Sequence, residues 1–117
     1  MRSILFRALI TATATLLIAC SATQFTFYGP SESEPTWRIT VVKEPFSENF
    51  VCSINGSEVV EESFAFFANS FEKDGSYQGK KVKMSGFRTY YGGIGFSTTI
   101  YQIRVFVDNR QIGKFDF

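Results

Sequence analysis

From Trp37 onward, apolar and polar positions alternate in short runs. In TWRITVVK, Trp37, Ile39 and Val41 fall on one side and Arg38, Thr40 and Val42 on the other, the period of a half-buried β-strand. FVCSINGSEVV repeats the pattern with Phe50, Cys52 and Ile54, then sets Asn55-Gly56 between two β-prone runs. That dipeptide favours the positive φ angles of a two-residue hairpin turn. YQGKKVKMSGF alternates Val82 and Met84 against Lys81, Lys83 and Ser85. In IYQIRVFVDNRQIGKFDF, Tyr101, Ile103, Val105 and Val107 share a face, and a turn at Asp108-Asn109-Arg110 returns Phe115 and Phe117 beside them. SINGSEVV and FVDNRQIG echo one another, as two similar hairpins of one β-domain would.

The segment SEVVEESFAFFANSFEKDG is ambiguous. Val60, Phe64, Phe67 and Phe71 fall at helical spacing, with Gly75 available to end a helix. Phe64 and Phe66 also alternate, and Asn69-Ser70 and Asp74-Gly75 resemble turns, so two strands are expected over 58–73 in preference to one helix. The expected fold is mainly β, a small antiparallel β-sandwich or barrel of six to eight short strands occupying residues 37–117 as one domain. Fourteen Phe and five Tyr let so short a chain build much of its core from a few large rings.

The N-terminus obeys a different pattern. Arg2 and Arg7 precede a run of about a dozen apolar or small residues, Ala8 to Ala19, and no acidic side chain occurs before Glu32. Roughly 20 apolar residues are needed to span a bilayer, so this run is too short for an ordinary transmembrane helix. A basic start, a short apolar run and small residues at its end describe a cleaved signal peptide, here residues 1–19. Leu17-Ile18-Ala19-Cys20 resembles the lipobox of bacterial lipoproteins. The resemblance, confined to residues 1–21, implies a diacylglycerol on the Cys20 sulfur, cleavage of the Ala19–Cys20 bond and acylation of the new amine. Ser21 in place of Asp further resembles lipoproteins sent to the outer membrane. Two or three acyl chains hold a protein on a bilayer almost permanently, whereas one does so only marginally.

Between the anchor and the alternating region, residues 20–36 read as a lipidated N-terminus and linker, because GPSESEPT is rich in Gly, Pro, Ser and Glu. About 15 extended residues reach roughly 50 Å, enough to stand the domain clear of the membrane. FTFY, Phe25 to Tyr28, is either a short first strand or a set of aromatics at the lipid interface.

Composition narrows the chemistry. Twelve basic and eleven acidic side chains give no surplus to attract nucleic acid. The chain has no histidine, which removes Ser-His and Cys-His nucleophile pairs and the commonest metal ligand. Glu58, Glu61 and Glu62 form the only acidic cluster and read as solvated strand positions; Lys80, Lys81 and Lys83 read as the solvent side of an edge strand. With Cys20 lipidated, Cys52 is left alone and reads as a buried small hydrophobe. No catalytic residue, metal site or cofactor is assigned, and the protein is expected not to be an enzyme.

The expected function is that of a membrane-anchored envelope module, structural or binding another envelope protein. Its candidate surface is the loop RTYYGGIGF, with Arg88, Tyr90, Tyr91 and Phe96 as candidate partner-binding residues. The alternative, that the two tyrosine rings pack into the core beneath the loop, stays open. MSGFRTYYGG is also similar to the Ser-Gly-x-Arg-Tyr signature of small β-barrel lipoproteins that inhibit lysozyme, through Ser85-Gly86-Phe87-Arg88. It departs at Thr89, where the Tyr would stand, and the chain has no counterpart of that family's disulfide. That resemblance implies, as a second reading, an envelope inhibitor or glycan-binding β-domain.

Overall fold

Asn55 and Gly56 both take left-handed backbone angles, φ 51° and 84°, so the turn foreseen between the two runs closes the hairpin. The same device recurs at Gln78-Gly79 and Asp108-Asn109, again with positive φ at both residues. In a computed structural model of the protein, which describes residues 22–117, these turns organise eight antiparallel strands. They are β1 (Ala22–Tyr28), β2 (Trp37–Lys43), β3 (Asn49–Ile54), β4 (Ser57–Ser63), β5 (Ser70–Tyr77), β6 (Lys80–Gly93), β7 (Phe96–Val107) and β8 (Arg110–Asp116). β1 to β4 form one meandering sheet and β5 to β8 the other, and the two close into a sandwich.

The alternating apolar residues face inward from both sheets. Ile39, Val41, Phe50, Cys52 and Ile54 of the first sheet meet Val82, Met84, Ile103, Val105 and Val107 of the second, all fully buried or nearly so. Full burial of such an aliphatic or aromatic side chain contributes about 1.5–3 kcal/mol, so this double layer is the main source of stability. Trp37, Val60, Phe64 and Phe115 complete the core.

The two sheets repeat one plan. At the last hairpin of each sheet the first turn residue reaches back to the neighbouring strand: Arg38 N–H donates to Asn55 Oδ1 (2.9 Å) and Lys81 N–H to Asp108 Oδ1 (3.1 Å). The turn amides reciprocate, Asn55 to the Arg38 carbonyl and Asp108 to the Lys81 carbonyl, both at 2.9 Å. Each hairpin also carries a register shift, after Cys52 in one and after Val105 in the other. The echo between SINGSEVV and FVDNRQIG is thus the visible part of a repeated three-strand unit.

Two expectations change. Of the two alternatives for FTFY the structure has the strand: Ala22–Tyr28 is not part of a linker but the edge strand β1, in continuous register with β2 from Ala22↔Lys43 to Tyr28↔Trp37. Tyr28 packs edge-on to Trp37, and only Gly29 to Thr36 remains as a connection. Over 58–73 the chain makes the two strands expected, β4 and β5, and helical spacing loses to pairing with β3 and β6. The lysines of β6 lie on an interior strand, not an edge, and three face acids: Lys80 Asp108, Lys81 Asp74 and Lys83 Glu72, at 3.6–3.9 Å. The expected signal peptide, residues 1–19, and Cys20 fall outside the described residues. No helix among the described residues is long and apolar enough to cross a membrane.

Candidate interaction surface

An up-and-down meander puts alternate connections at the same end of the sandwich. The β2–β3 connection (44–48), the β4–β5 connection (64–69) and the β6–β7 turn (94–95) share one end, called apical here. β1 also begins there, because Ala22 lies opposite Lys43 at the end of β2. The tight turns at 55–56, 78–79 and 108–109 lie at the other end.

β6 and β7 outrun their neighbours. β5 pairs with β6 only as far as Phe87, and β8 with β7 only from Gln102, while β6 and β7 continue to pair up to Gly93↔Phe96. Thr89 to Ile100 therefore stand out as a two-stranded ribbon, roughly 16 Å long at 3.3 Å per residue. Gly95, at φ 88°, supplies the left-handed residue its tip requires.

Beneath the ribbon lies Arg88, one of the candidate binding residues, and it is only 4% exposed. It therefore offers no surface to a partner. Its Nη1 donates to Glu48 Oε1 at 2.7 Å, and Tyr101 Oη donates to Glu48 Oε2 at 2.8 Å. Its Nη2 donates to the carbonyls of Ala65 and Ala68, and its backbone N–H to the Asn69 carbonyl at 2.8 Å. The guanidinium stacks between the rings of Phe64 (4.9 Å) and Tyr90 (5.3 Å), with only Nε unpartnered among the buried side-chain polar atoms described. One arginine thus fastens both apical loops to the base of the ribbon.

The electrostatics follow from that arrangement. Burial alone would push the Glu48 carboxyl up, but the hydrogen bonds from Arg88 and Tyr101 and the positive charge of Arg88 and Lys43 outweigh it and hold it below 4.5. Burial and the bond to Glu48 push Tyr101 up to about 12. The cluster is fixed as a cation, an anion and a neutral phenol at neutral pH.

What this framework holds outward is aromatic. Tyr90 and Tyr91 are 58% and 56% exposed, so their rings do not pack into the core. Phe66 and Phe67, touching edge to face, are 86% and 91% exposed, and Phe46 is 98% exposed. Ile94 at the ribbon tip is fully exposed and Ile100 partly so. Phe96 opens β7 opposite Gly93. Sequence reading found the tyrosines and missed Phe46, Phe66 and Phe67, whose neighbourhood depends on which connections share an end.

Phe46 carries a second anomaly, a φ of 58°. It follows Pro45 at the turn position that favours glycine or asparagine, and a bulky residue there is strained by about 1–3 kcal/mol. The ring makes up none of this through burial.

The Ser-Gly-x-Arg run does not form one site. It lies inside β6, where alternation points Ser85 and Phe87 outward and Gly86 and Arg88 inward. Ser85 and Phe87 line a shallow cleft of about 690 Å³ on the outer face with Glu72, Gln102 and Arg104, on the far side of the strand from the guanidinium. A side chain at Gly86 would overlap the Phe71 ring, so this glycine serves packing. Glu58 and Glu61 stand fully exposed on β4, where their mutual hydrogen bond raises Glu58 while Asn49 holds Glu61 down. Among the described residues no group of three or more His, Cys, Asp or Glu is placed to hold a metal ion.

Fold and site together define a class, an eight-stranded antiparallel β-sandwich with an aromatic end secured by a buried arginine paired with a partly exposed glutamate. The chain matches no known family model, no curated protein and no solved structure.

Proposed function

We propose that this protein is a bacterial envelope lipoprotein, held at the outer membrane by acyl chains on Cys20, whose β-sandwich is a non-enzymatic interaction module. The observation that carries the reading is the order of features in the N-terminal sequence. Arg2 and Arg7, the apolar run Ala8 to Ala19 and the lipobox-like Leu17-Ile18-Ala19-Cys20 follow one another as in a lipoprotein signal peptide, and the β-sandwich is built from residues that come after them. A buried helix of a cytosolic domain would not be expected to stop at a cysteine flanked in this way. The absence of any histidine, and an exposed surface of aromatics in place of a cleft lined by acids, favour binding over catalysis. The exposed tyrosines favour a binding end over a plain structural domain, with its residues now Phe46, Phe66, Phe67, Tyr90, Tyr91 and Ile94. The inhibitor-like reading has no such support, because its four residues are split between two faces of β6.

The test is fractionation of the full chain and its Cys20→Ser variant. The unaltered protein is expected in washed membranes and to leave them only with detergent. Cys20→Ser is expected in the soluble fraction with an unchanged melting temperature, because Cys20 precedes the first strand. A Cys20→Ser protein that stays in washed membranes as firmly as the original contradicts the reading.

A further inference from the structure

We infer that the partner of the apical end is the lipid surface itself, so that the protein rests on the bilayer at a second point beside its acyl anchor. The inference builds on the anchoring proposed above and fixes the orientation of the domain. Only Ser21 separates Cys20 from Ala22, so at most about 7 Å of chain, two Cα-to-Cα steps, joins an acylated cysteine to Ala22. Ala22 lies at the apical end, which therefore cannot stand clear of the membrane as it would on a long linker. The side chains brought to that surface are those a lipid interface accepts: Phe46, Phe66, Phe67 and Ile94 exposed, with two tyrosines behind them.

Charge is partitioned to match. From Ser63 to Phe71, and from Thr89 to Ile103, the chain carries no charged residue. The β2–β3 connection holds Glu44, exposed, and Glu48, already paired with Arg88, while Lys43 and Asp116 stand at the strand ends behind it. The opposite end carries Glu32, Glu34, Lys80, Asp108 and Arg110, a solvated face. With no basic cluster at the apical end, contact comes from apolar burial and not from attraction to anionic headgroups, so it resists salt.

The fold also limits the depth. The outer edges of a two-stranded ribbon present unpaired N–H and C=O groups, which hydrocarbon does not tolerate. The ribbon therefore stays in the headgroup region, where tyrosine rings are at home, and the phenylalanines and Ile94 reach the acyl boundary. Phe46 argues for selection by something other than stability, since its backbone is strained and its ring exposed.

The experiment reconstitutes the membrane-extracted protein into phosphatidylcholine vesicles with brominated acyl chains and reads tryptophan emission. Trp37, buried near the opposite end, serves as an internal standard that the lipid does not quench. A tryptophan added at the tip, Ile94→Trp, is expected to be quenched and blue-shifted at low and high salt, and one added at the far loop, Glu34→Trp, is not. In Cys20→Ser protein, Phe46→Gly, Phe66→Ser and Phe67→Ser together lower vesicle partition at least about tenfold, one ring's worth of apolar transfer. Phe46→Gly alone lowers partition without lowering the melting temperature, which separates lipid contact from folding. Flotation with the vesicles but equal emission from Ile94→Trp and Glu34→Trp overturns this inference and leaves the anchoring intact. A protein without acyl chains that leaves the vesicles overturns both. Protection of Ile94→Trp by an envelope protein and not by lipid assigns the surface to a protein partner and overturns the inference.

Discussion

Replacing Arg88 by methionine tests whether the ion pair is the fastening of the apical end. The guanidinium side chain is 3% exposed and that of Glu48 38%, so the two halves of the pair are not equivalent. In Arg88→Met the hydrocarbon stem is kept, and the orphaned Glu48 regains water and keeps its bond from Tyr101. Lost are the charged bonds to Glu48 and to the carbonyls of Ala65 and Ala68. Bonds to charged groups contribute about 1.5–3 kcal/mol each in isolation, and with the carbonyls free to turn to water the net loss is about 3 kcal/mol. Glu48→Ala instead leaves a buried cation without its anion, a change that costs about 3–5 kcal/mol in buried pairs. Removing the acid is therefore expected to harm more than removing the base. For a domain of this size each 1 kcal/mol moves the melting temperature by about 4–8 °C, so Arg88→Met is expected to melt about 12–24 °C lower. Urea melts of both variants and of the double variant measure the coupling, and hydrogen exchange at residues 65–69 reports whether the loop is released. A loss below about 1 kcal/mol for Arg88→Met, or a milder effect from Glu48→Ala, refutes the assignment of Arg88 as the fastening.

Acid should weaken the fold through the same pair. Glu48 is held below its unfolded value of 4.5, so its contribution is complete above that pH and is lost as pH falls through the lower folded value. Urea midpoints measured from pH 6 to pH 3 should fall more steeply for the unaltered protein than for Glu48→Gln, and parallel curves would contradict this. Gly86→Ala should cost about 1–3 kcal/mol, because the added methyl meets the Phe71 ring; an unchanged melting temperature would show that the ring moves aside freely. Burial pushes the Cys52 thiol up to about 12, so alkylation in native conditions should wait on unfolding and accelerate sharply in urea. Rapid modification of the native protein would contradict that burial.

The β-core was legible because each inward set, such as Phe50, Cys52 and Ile54, keeps strict alternation and each turn carries residues suited to positive φ. β1 was legible only as one of two alternatives for FTFY because it is an edge strand: Phe25 and Phe27 stay exposed, and only pairing with β2 distinguishes it from the Pro- and Ser-rich stretch that follows. Glu48 could not be matched to Arg88 from sequence, since forty positions separate them and alternation stops guiding where β6 outruns its neighbours. The aromatic end is a property of topology. Phe46, Phe66 and Ile94 sit on three separate connections that the meander gathers at one end.

The account depends most on Cys20, and the intact mass of the protein extracted from bacterial membranes tests it directly. It predicts residues 20–117 carrying a diacylglycerol and one further acyl group. A chain that begins after Cys20 without lipid, or one that retains residues 1–19, would contradict it.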